Sequence, residues 1–455
     1  VRFEHVRKKN TSGPAGPHMM VFDPSIRVAL ASTDADVSHL PAAFGLLRER
    51  AITPGGGSAM ACAGIAVADS VVPDDLLGQF ADRAARYDAD HRFFSEDFDE
   101  LRRLGYLRGP VPAELGGGGW TLARTMREQR RLAYSAAPTA LAINMHLYWV
   151  GVAADLWRGG DRSLDWLLKA AAGGEIFAAG HAEPGNDVPV LLSTTRAERV
   201  EGGYRFTGRK SFGSLSPVWT YLGIHGMDTS SPSAPKIVHA FMPRETEGYH
   251  IEETWDVLGM RATRSEDTVL DGVFVPDRFI GRVVPAGAAG LDHFVLGLFA
   301  WALIGFGNVY YALARRAFDL TLSSIPTRTS LALTRSMAYH PGVQHQIAEM
   351  GLALESVEPH LDRIADEWTR GVGHGAMWPA KIFAVKYHAV ENSWRVVDTA
   401  LDLAGGFGIF RRSGIERLFR DARLGRMHPA NWMLTHEIVG KSLLGINPDE
   451  SPRWG

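Results

Sequence analysis

Gly405-Gly406-Phe407-Gly408-Ile409, followed by Arg420-Asp421-Ala422-Arg423 and then by Met427-His428-Pro429, is the stretch on which the reading of this chain turns. Glycines so closely spaced let a backbone approach something that a side chain would block. Alone, such a string is an interhelical turn, and Arg420 with Asp421 is a pair on a helix surface. Its surroundings give it meaning. On its N-terminal side apolar residues recur at helical spacing through 381–403, 343–368 and 298–320, so a helical domain is expected over 283–445 with a short tail at 446–455.

Further upstream the period shortens to two. Arg196-Ala197-Glu198-Arg199-Val200 and Tyr204-Arg205-Phe206-Thr207 flank Gly202-Gly203 and predict a hairpin, with more strands at 220–225, 237–242 and 269–275. A β domain is expected over 176–282. Before it, Leu76, Leu77, Phe80, Ala81 and Ala84, then Phe94, Phe98, Leu101 and Leu104, follow helical spacing and predict a helical domain over 74–175. Residues 1–73 mix Gly, Pro, Ser and Ala, with Thr53-Pro54-Gly55-Gly56-Gly57-Ser58 as a linker-like block, and are expected to be a flexible or non-core extension. The fold class is α+β.

With 455 residues, 45% of them hydrophobic and 22% charged, the chain can bury a large core. Its net charge of -3 gives no electrostatic case for nucleic acid or for an anionic membrane surface. The apolar run 59–72 contains Asp69 and falls short of the roughly 20 residues that span a bilayer. Cys62, the sole cysteine, cannot form an internal disulfide, so a reducing, cytoplasmic location is expected. No compact His/Asp/Glu/Cys cluster has metal-ligand spacing, and no metal is expected. The Arg124, Arg127, Arg130 and Arg131 group is expected to be a solvated helix face or a subunit contact.

Phe177 to Pro184 (FAAGHAEP), Gly208-Arg209-Lys210-Ser211-Phe212-Gly213-Ser214, and Leu258-Gly259-Met260-Arg261-Ala262-Thr263 ahead of Val275-Pro276 precede the C-terminal stretch in that order. Together, from about Val72 to the end, they resemble the acyl-CoA dehydrogenase superfamily of flavoproteins. The resemblance implies an N-terminal α-helical domain, a middle β-barrel-like domain and a C-terminal four-helix bundle. It implies FAD as cofactor, or FMN in a two-component monooxygenase, bound by a homo-oligomer (dimer or tetramer). His181, Ala182, Phe212 and Ser214 would lie beside the isoalloxazine ring, Phe212 where relatives often carry tryptophan and Ser214 where they carry threonine. Gly405, Gly406 and Gly408 would meet the adenine dinucleotide of a neighbouring subunit's flavin.

The departures from the family pattern concern chemistry. Dehydrogenation of a thioester needs a base beside the α-carbon as hydride leaves the β-carbon. Pro429 occupies the position where many relatives carry that glutamate, Val295 occupies the alternative position, and Leu296 replaces an arginine that helps hold CoA. His428, next to the vacancy, is the candidate replacement with Ser214; an imidazole of ordinary pKa near 6.5 exchanges protons at neutral pH. His181 and His146 are weaker candidates. A histidine without a glutamate is similar to a hydroxylating branch of the superfamily, so the expectation is a reduced-flavin monooxygenase on a small organic substrate, served by a flavin reductase or electron-transfer partner. The alternatives are an acyl-CoA or acyl-carrier-protein thioester α,β-dehydrogenase with a base from elsewhere, and a non-catalytic flavin-binding or scaffold subunit.

Overall fold

The structure, a computed structural model, describes residues 65, 67–287 and 292–447; most of the expected extension and residues 448–455 of the tail lie outside the described residues. Helix α1 (Asp74–Ala89) buries Leu76, Leu77, Phe80 and Ala84 along one face, as their spacing dictates. Helix α2 (Ser95–Arg103) buries Phe98 and Leu101. Helix α3 (Leu122–Arg158) begins where the Thr121 side chain accepts from the Arg124 amide and bends at Ala136, just before Pro138, whose ring interrupts the hydrogen-bond ladder. Helix α4 (Asp165–Ala172) ends the first helical region.

The end of the expected extension belongs to this packed body. Val72 is buried, its carbonyl accepts from Arg131, and the Ser70 hydroxyl donates to Glu128. The cause is α3, whose buried Glu128 and Arg131 need polar partners.

The sheet comprises β1 (Phe177–Gly180), β2 (Arg196–Val200), β3 (Gly203–Gly213), β4 (Tyr221–Asp228), β5 (Lys236–Pro243), β6 (Tyr249–Glu252), β7 (Glu266–Pro276) and β8 (Ile280–Pro285). Its order is β6-β7-β3-β2-β4-β5-β8, with β1 paired to β4. The β2–β3 hairpin sits where alternation placed it, Arg196 opposite Thr207 and Val200 opposite Gly203. Strand β8 crosses the boundary expected at 282, because β5 pairs with it as far as Pro285.

The remaining helices are α5 (His293–Ser324), α6 (Pro341–Thr369), α7 (Trp378–Ala404), α8 (Ile415–Leu424) and α9 (Trp432–Leu444). Helix α5 is capped by the Asp292 carboxylate, which accepts from the Phe294 and Val295 amides. It is apolar enough to cross a membrane by length and composition, yet 94% of its most apolar window is buried inside the protein, as in a core helix. Glycines bring α3 and α5 together: a Cβ at Gly151 would lie 2.3 Å from the Trp301 ring, and one at Gly305 would lie 2.3 Å from Asn144 Oδ1. The helices before and after the sheet thus share one core.

Two of the four arginines on α3, Arg130 and Arg131, correct the sequence expectation of a solvated face. Arg130 is buried and reaches Asn308 on α5 and Glu358 and Asp362 on α6, while Arg131 turns to Val72 and Asp74. Arg130 and Arg131 thus tie the packed body together rather than facing water, while Arg124 and Arg127 stay partly exposed.

Candidate functional site

A cleft with about 1050 Å³ of empty space, counted out through its mouth, is lined by both the sheet region and the helices. His181 and Ala182, just beyond β1, and Phe212 and Ser214, at the end of β3, line one wall together with Trp255, Thr263 and Ser265. The opposite wall is α3 (Leu141, Met145, Tyr148) and α5 (Leu298, Phe299, Leu303, Phe306). Leu424, Met427, His428 and Pro429 close one side. Among the described residues no Asp, Glu, Lys or Arg lines the cleft.

The β wall is shaped by an irregularity. The pairing of β3 with β7 shifts register between Lys210 and Gly213, which takes Ser211 and Phe212 out of the ladder, and the Ser211 amide donates instead to the Ala182 carbonyl at 2.9 Å. Phe212 adopts φ +58°, so its ring stands 61% exposed and edge-on to Trp255 at 6.0 Å. Behind it, Ser214 Oγ lies 2.7 Å from Ser265 Oγ, which lies 2.7 Å from Thr263 Oγ1; that hydroxyl donates to the Met260 carbonyl at 2.9 Å.

Beneath this wall charge is buried and paired. Lys210 Nζ lies 2.5 Å from Glu183 Oε1 and donates to the His225 carbonyl. Burial alone would raise the Glu183 carboxyl, but the Lys210 ammonium and the Thr195 and Ser193 hydroxyls hold it down at about 2. His181, half-buried beside the buried His225 and His239, shares a 3.2 Å hydrogen bond between Nδ1 and the Tyr148 hydroxyl. Burial, with His239 and Lys210 nearby, holds its pKa well below the ordinary value, so the ring is neutral.

His428 packs against Phe306 at 4.7 Å and Tyr310 at 5.6 Å between ring centroids. Burial and then the Lys386 ammonium lower its pKa to about 3. This corrects the expectation of an ordinary imidazole: the ring is neutral at pH 7 and a weak base. Among the described residues no hydrogen bond fixes either ring nitrogen. Lys386 holds the segment instead, donating to the carbonyls of Gly425 (3.3 Å), His428 (3.4 Å) and Ala430 (3.0 Å). His146 has a structural role, Nε2 meeting the Leu107 carbonyl and Nδ1 accepting from the Phe177 amide.

Arg420 and Asp421 are more than a surface pair. Arg420 reaches Asp88 on α1 and the Leu258 carbonyl, and the Met260 amide donates to Asp421 Oδ1. A Cβ at Gly259 would lie 2.5 Å from the Arg420 carbonyl oxygen, so only glycine permits this contact. Helix α8 therefore locks the 258–263 loop that brings Met260 and Thr263 to the cleft. Gly405, Gly406 and Gly408 lie in the turn after α7 and do not line the cleft; Gly405 and Gly406 are exposed, and a Cβ on Gly406 would meet nothing within 4 Å. Val295 is buried and does not reach the cleft either.

The β wall suits a flat heteroaromatic ring with a polar edge: a protruding aromatic face at Phe212, a bulge that frees backbone groups, and a file of hydroxyls from Ser214 inward. Residues 76–169 match the family described as acyl-CoA dehydrogenase, N-terminal domain, and residues 294–428 match acyl-CoA dehydrogenase, C-terminal domain. This chain belongs to the acyl-CoA dehydrogenase family. An amino sugar nitrososynthase of Streptomyces peucetius is 30% identical over 366 residues, 76% of this chain and 86% of that one. The mitochondrial short-chain specific acyl-CoA dehydrogenase of Sus scrofa is 23% identical over 376 residues, 79% of this chain and 85% of that one. Among solved structures, KijD3 in complex with FMN and dTDP-3-amino-2,3,6-trideoxy-4-keto-3-methyl-D-glucose superposes with a TM-score of 0.74 at 23% identity, covering 87% of this chain and 98% of that one. As an acyl-CoA dehydrogenase family member the protein is a flavin-dependent oxidoreductase, with FAD or FMN as its cofactor.

Sequence reasoning missed Tyr148, Ser265 and Lys386. Tyr148 and Lys386 sit in long helices without a motif. Ser265 lies just past the quoted Leu258 to Thr263 run, where the Thr-Arg-Ser spacing was the available signal.

Proposed function

We propose that this protein is a reduced-flavin monooxygenase acting on a small, uncharged organic substrate. One observation carries the reading: among the described residues, none that lines a cleft of this size is a carboxylate. Thioester dehydrogenation must take an α-proton onto a base. Pro429 has none to offer, Glu183 is held under the β wall by Lys210, and His428, with its pKa lowered to about 3, is a poor acceptor for such a proton. The name of the nitrososynthase relative also fits oxygen chemistry better than desaturation.

In this reading the residues divide the work between the two walls. Phe212 covers one face of the flavin, and Ala182, Ser214 and His181, the last fixed through Tyr148, meet its polar edge. The bound flavin supplies the electrons that activate oxygen. Leu298, Phe299, Leu303 and Phe306 keep water from the reacting centre. The bare nitrogen of neutral His428 accepts a hydrogen bond from a substrate O–H or N–H and orients it. A charged group entering this cleft would find no counter-charge and would lose several kcal/mol, roughly, of hydration.

Gly405, Gly406 and Gly408, beside the exposed Phe407, Ile409 and Phe410, form a face suited to a second copy of the chain, so the enzyme acts as a homo-oligomer. A separate cytoplasmic flavin reductase supplies the reduced cofactor.

The test is an anaerobic titration of flavin-loaded protein with butyryl-CoA, followed by reduction and mixing with oxygen. Butyryl-CoA should leave the flavin absorbance unchanged. Reoxidation should be slower than for free reduced flavin, and His428→Ala should cut product formation by about 10²-fold with flavin content retained. Bleaching by butyryl-CoA would overturn the reading in favour of a dehydrogenase.

A further inference from the structure

The file of hydroxyls behind Phe212 has a direction. The Thr263 hydroxyl has one proton, and it goes to the Met260 carbonyl, which can only accept. The 2.7 Å contact between Thr263 and Ser265 must then use the Ser265 proton. The 2.7 Å contact between Ser265 and Ser214 must in turn use the Ser214 proton. Ser214 lines the cleft, and its only proton points away from it. Ser265 and Thr263 are themselves buried, as is the Met260 carbonyl's residue, so water does not readily reverse the file.

We propose that Ser214 faces the cleft solely as a hydrogen-bond acceptor, imposed by the Ser265–Thr263–Met260 file, and that this makes the site select reduced over oxidised flavin. The inference rests on the reading above that Ser214 meets the central polar edge of the flavin. In the oxidised ring the central nitrogen at that edge is bare, and two acceptors then face each other across the contact. In the reduced ring the same nitrogen carries a hydrogen, which Ser214 accepts. Ser265 and Thr263 are positioning residues, acting by using up the Ser214 proton.

The experiment measures dissociation constants for oxidised and reduced FMN and FAD, under anaerobic conditions and without substrate, by quenching of tryptophan fluorescence. The reduced form should bind about tenfold or more tighter, equivalent to a rise of about 30 mV in the potential of the bound two-electron couple for each factor of ten. Ser265→Ala frees the Ser214 proton to turn toward the cleft, so it should tighten oxidised flavin and bring the ratio toward one. Ser214→Ala removes the acceptor, so it should weaken reduced flavin, relieve the acceptor–acceptor contact with oxidised flavin, and bring the ratio toward one. Thr263→Val, which keeps the side-chain shape, should lower the ratio as Ser265→Ala does, so a folding defect in one variant leaves the other as the check. Equal affinities in the parent protein, or a ratio unmoved by both Ser265→Ala and Thr263→Val, would overturn the proposal. Selective binding that responds to these variants, together with bleaching by butyryl-CoA, would sink the monooxygenase reading and leave this inference standing.

Discussion

Two neighbouring regions treat charge in opposite ways. Under the β wall and around α8 the protein buries Glu183, Lys210, Asp421 and Lys386, each held by specific partners, whereas among the described residues no Asp, Glu, Lys or Arg lines the cleft beside them. The fold can evidently bury charge. The described walls of the cleft are uncharged, while the buried charges belong to the scaffold that shapes it.

The sharpest way to break this contrast is Glu183→Gln, which leaves the Lys210 ammonium in the interior without its counter-charge. Denaturant unfolding should show a loss of about 3–5 kcal/mol, and a loss below 1 kcal/mol would mean that Lys210 is neutral in the fold. Gly259→Ala should cost about 1–3 kcal/mol by pushing the 258–263 loop off α8, with flavin affinity falling alongside stability. If stability falls and flavin affinity does not, the lock has no bearing on the cleft.

A smaller effect is expected from pH. Burial raises the Asp421 carboxyl to about 6, above its unfolded value of 3.8, so its contribution is fully present below pH 3.8 and is lost as pH rises through 6. Asp421→Asn cannot ionise. The stability of this variant relative to the parent should rise by on the order of 1–3 kcal/mol between pH 4 and pH 7, and a difference that stays flat across that range would place Asp421 in contact with water. Glu183 runs the other way: its carboxyl is held at about 2, so its contribution is present above about 4.5 and lost as pH falls toward 2. The smallest effect belongs to an exposed pair. Glu100→Gln removes the partner of Arg103 on α2 and should change stability by less than about 0.5 kcal/mol; a larger loss would show that surface charge matters as much as buried charge here.

The sequence carried the layout well where periodicity was regular. The β2–β3 hairpin and the long runs of α5, α6 and α7 were legible because alternation and helical spacing extend over many residues. Strands β6 and β8 were not, being short and placed against β7 and β5 by tertiary pairing. For the candidate site, the motif residues His181, Ala182, Phe212, Ser214 and His428 come together on one cleft, while Gly405, Gly406 and Gly408 stand apart from it. The protonation of His428 was out of reach, since it depends on Phe306, Tyr310 and Lys386, which no local pattern connects to it. Arg130 and Arg131 of α3 misled for the same reason: spacing gives the face on which a side chain lies but not whether another helix covers it.

The close fit of Gly151 against Trp301 and of Gly305 against Asn144 bears on how the chain is made. The second half of α3 is largely apolar, and its partner α5 is synthesised only after the whole sheet. During translation at about 5–20 residues per second, α3 therefore waits for several seconds with a sticky face uncovered. A chaperone that occupies that face until α5 leaves the ribosome would matter more to the yield of this enzyme than any single contact in its finished form.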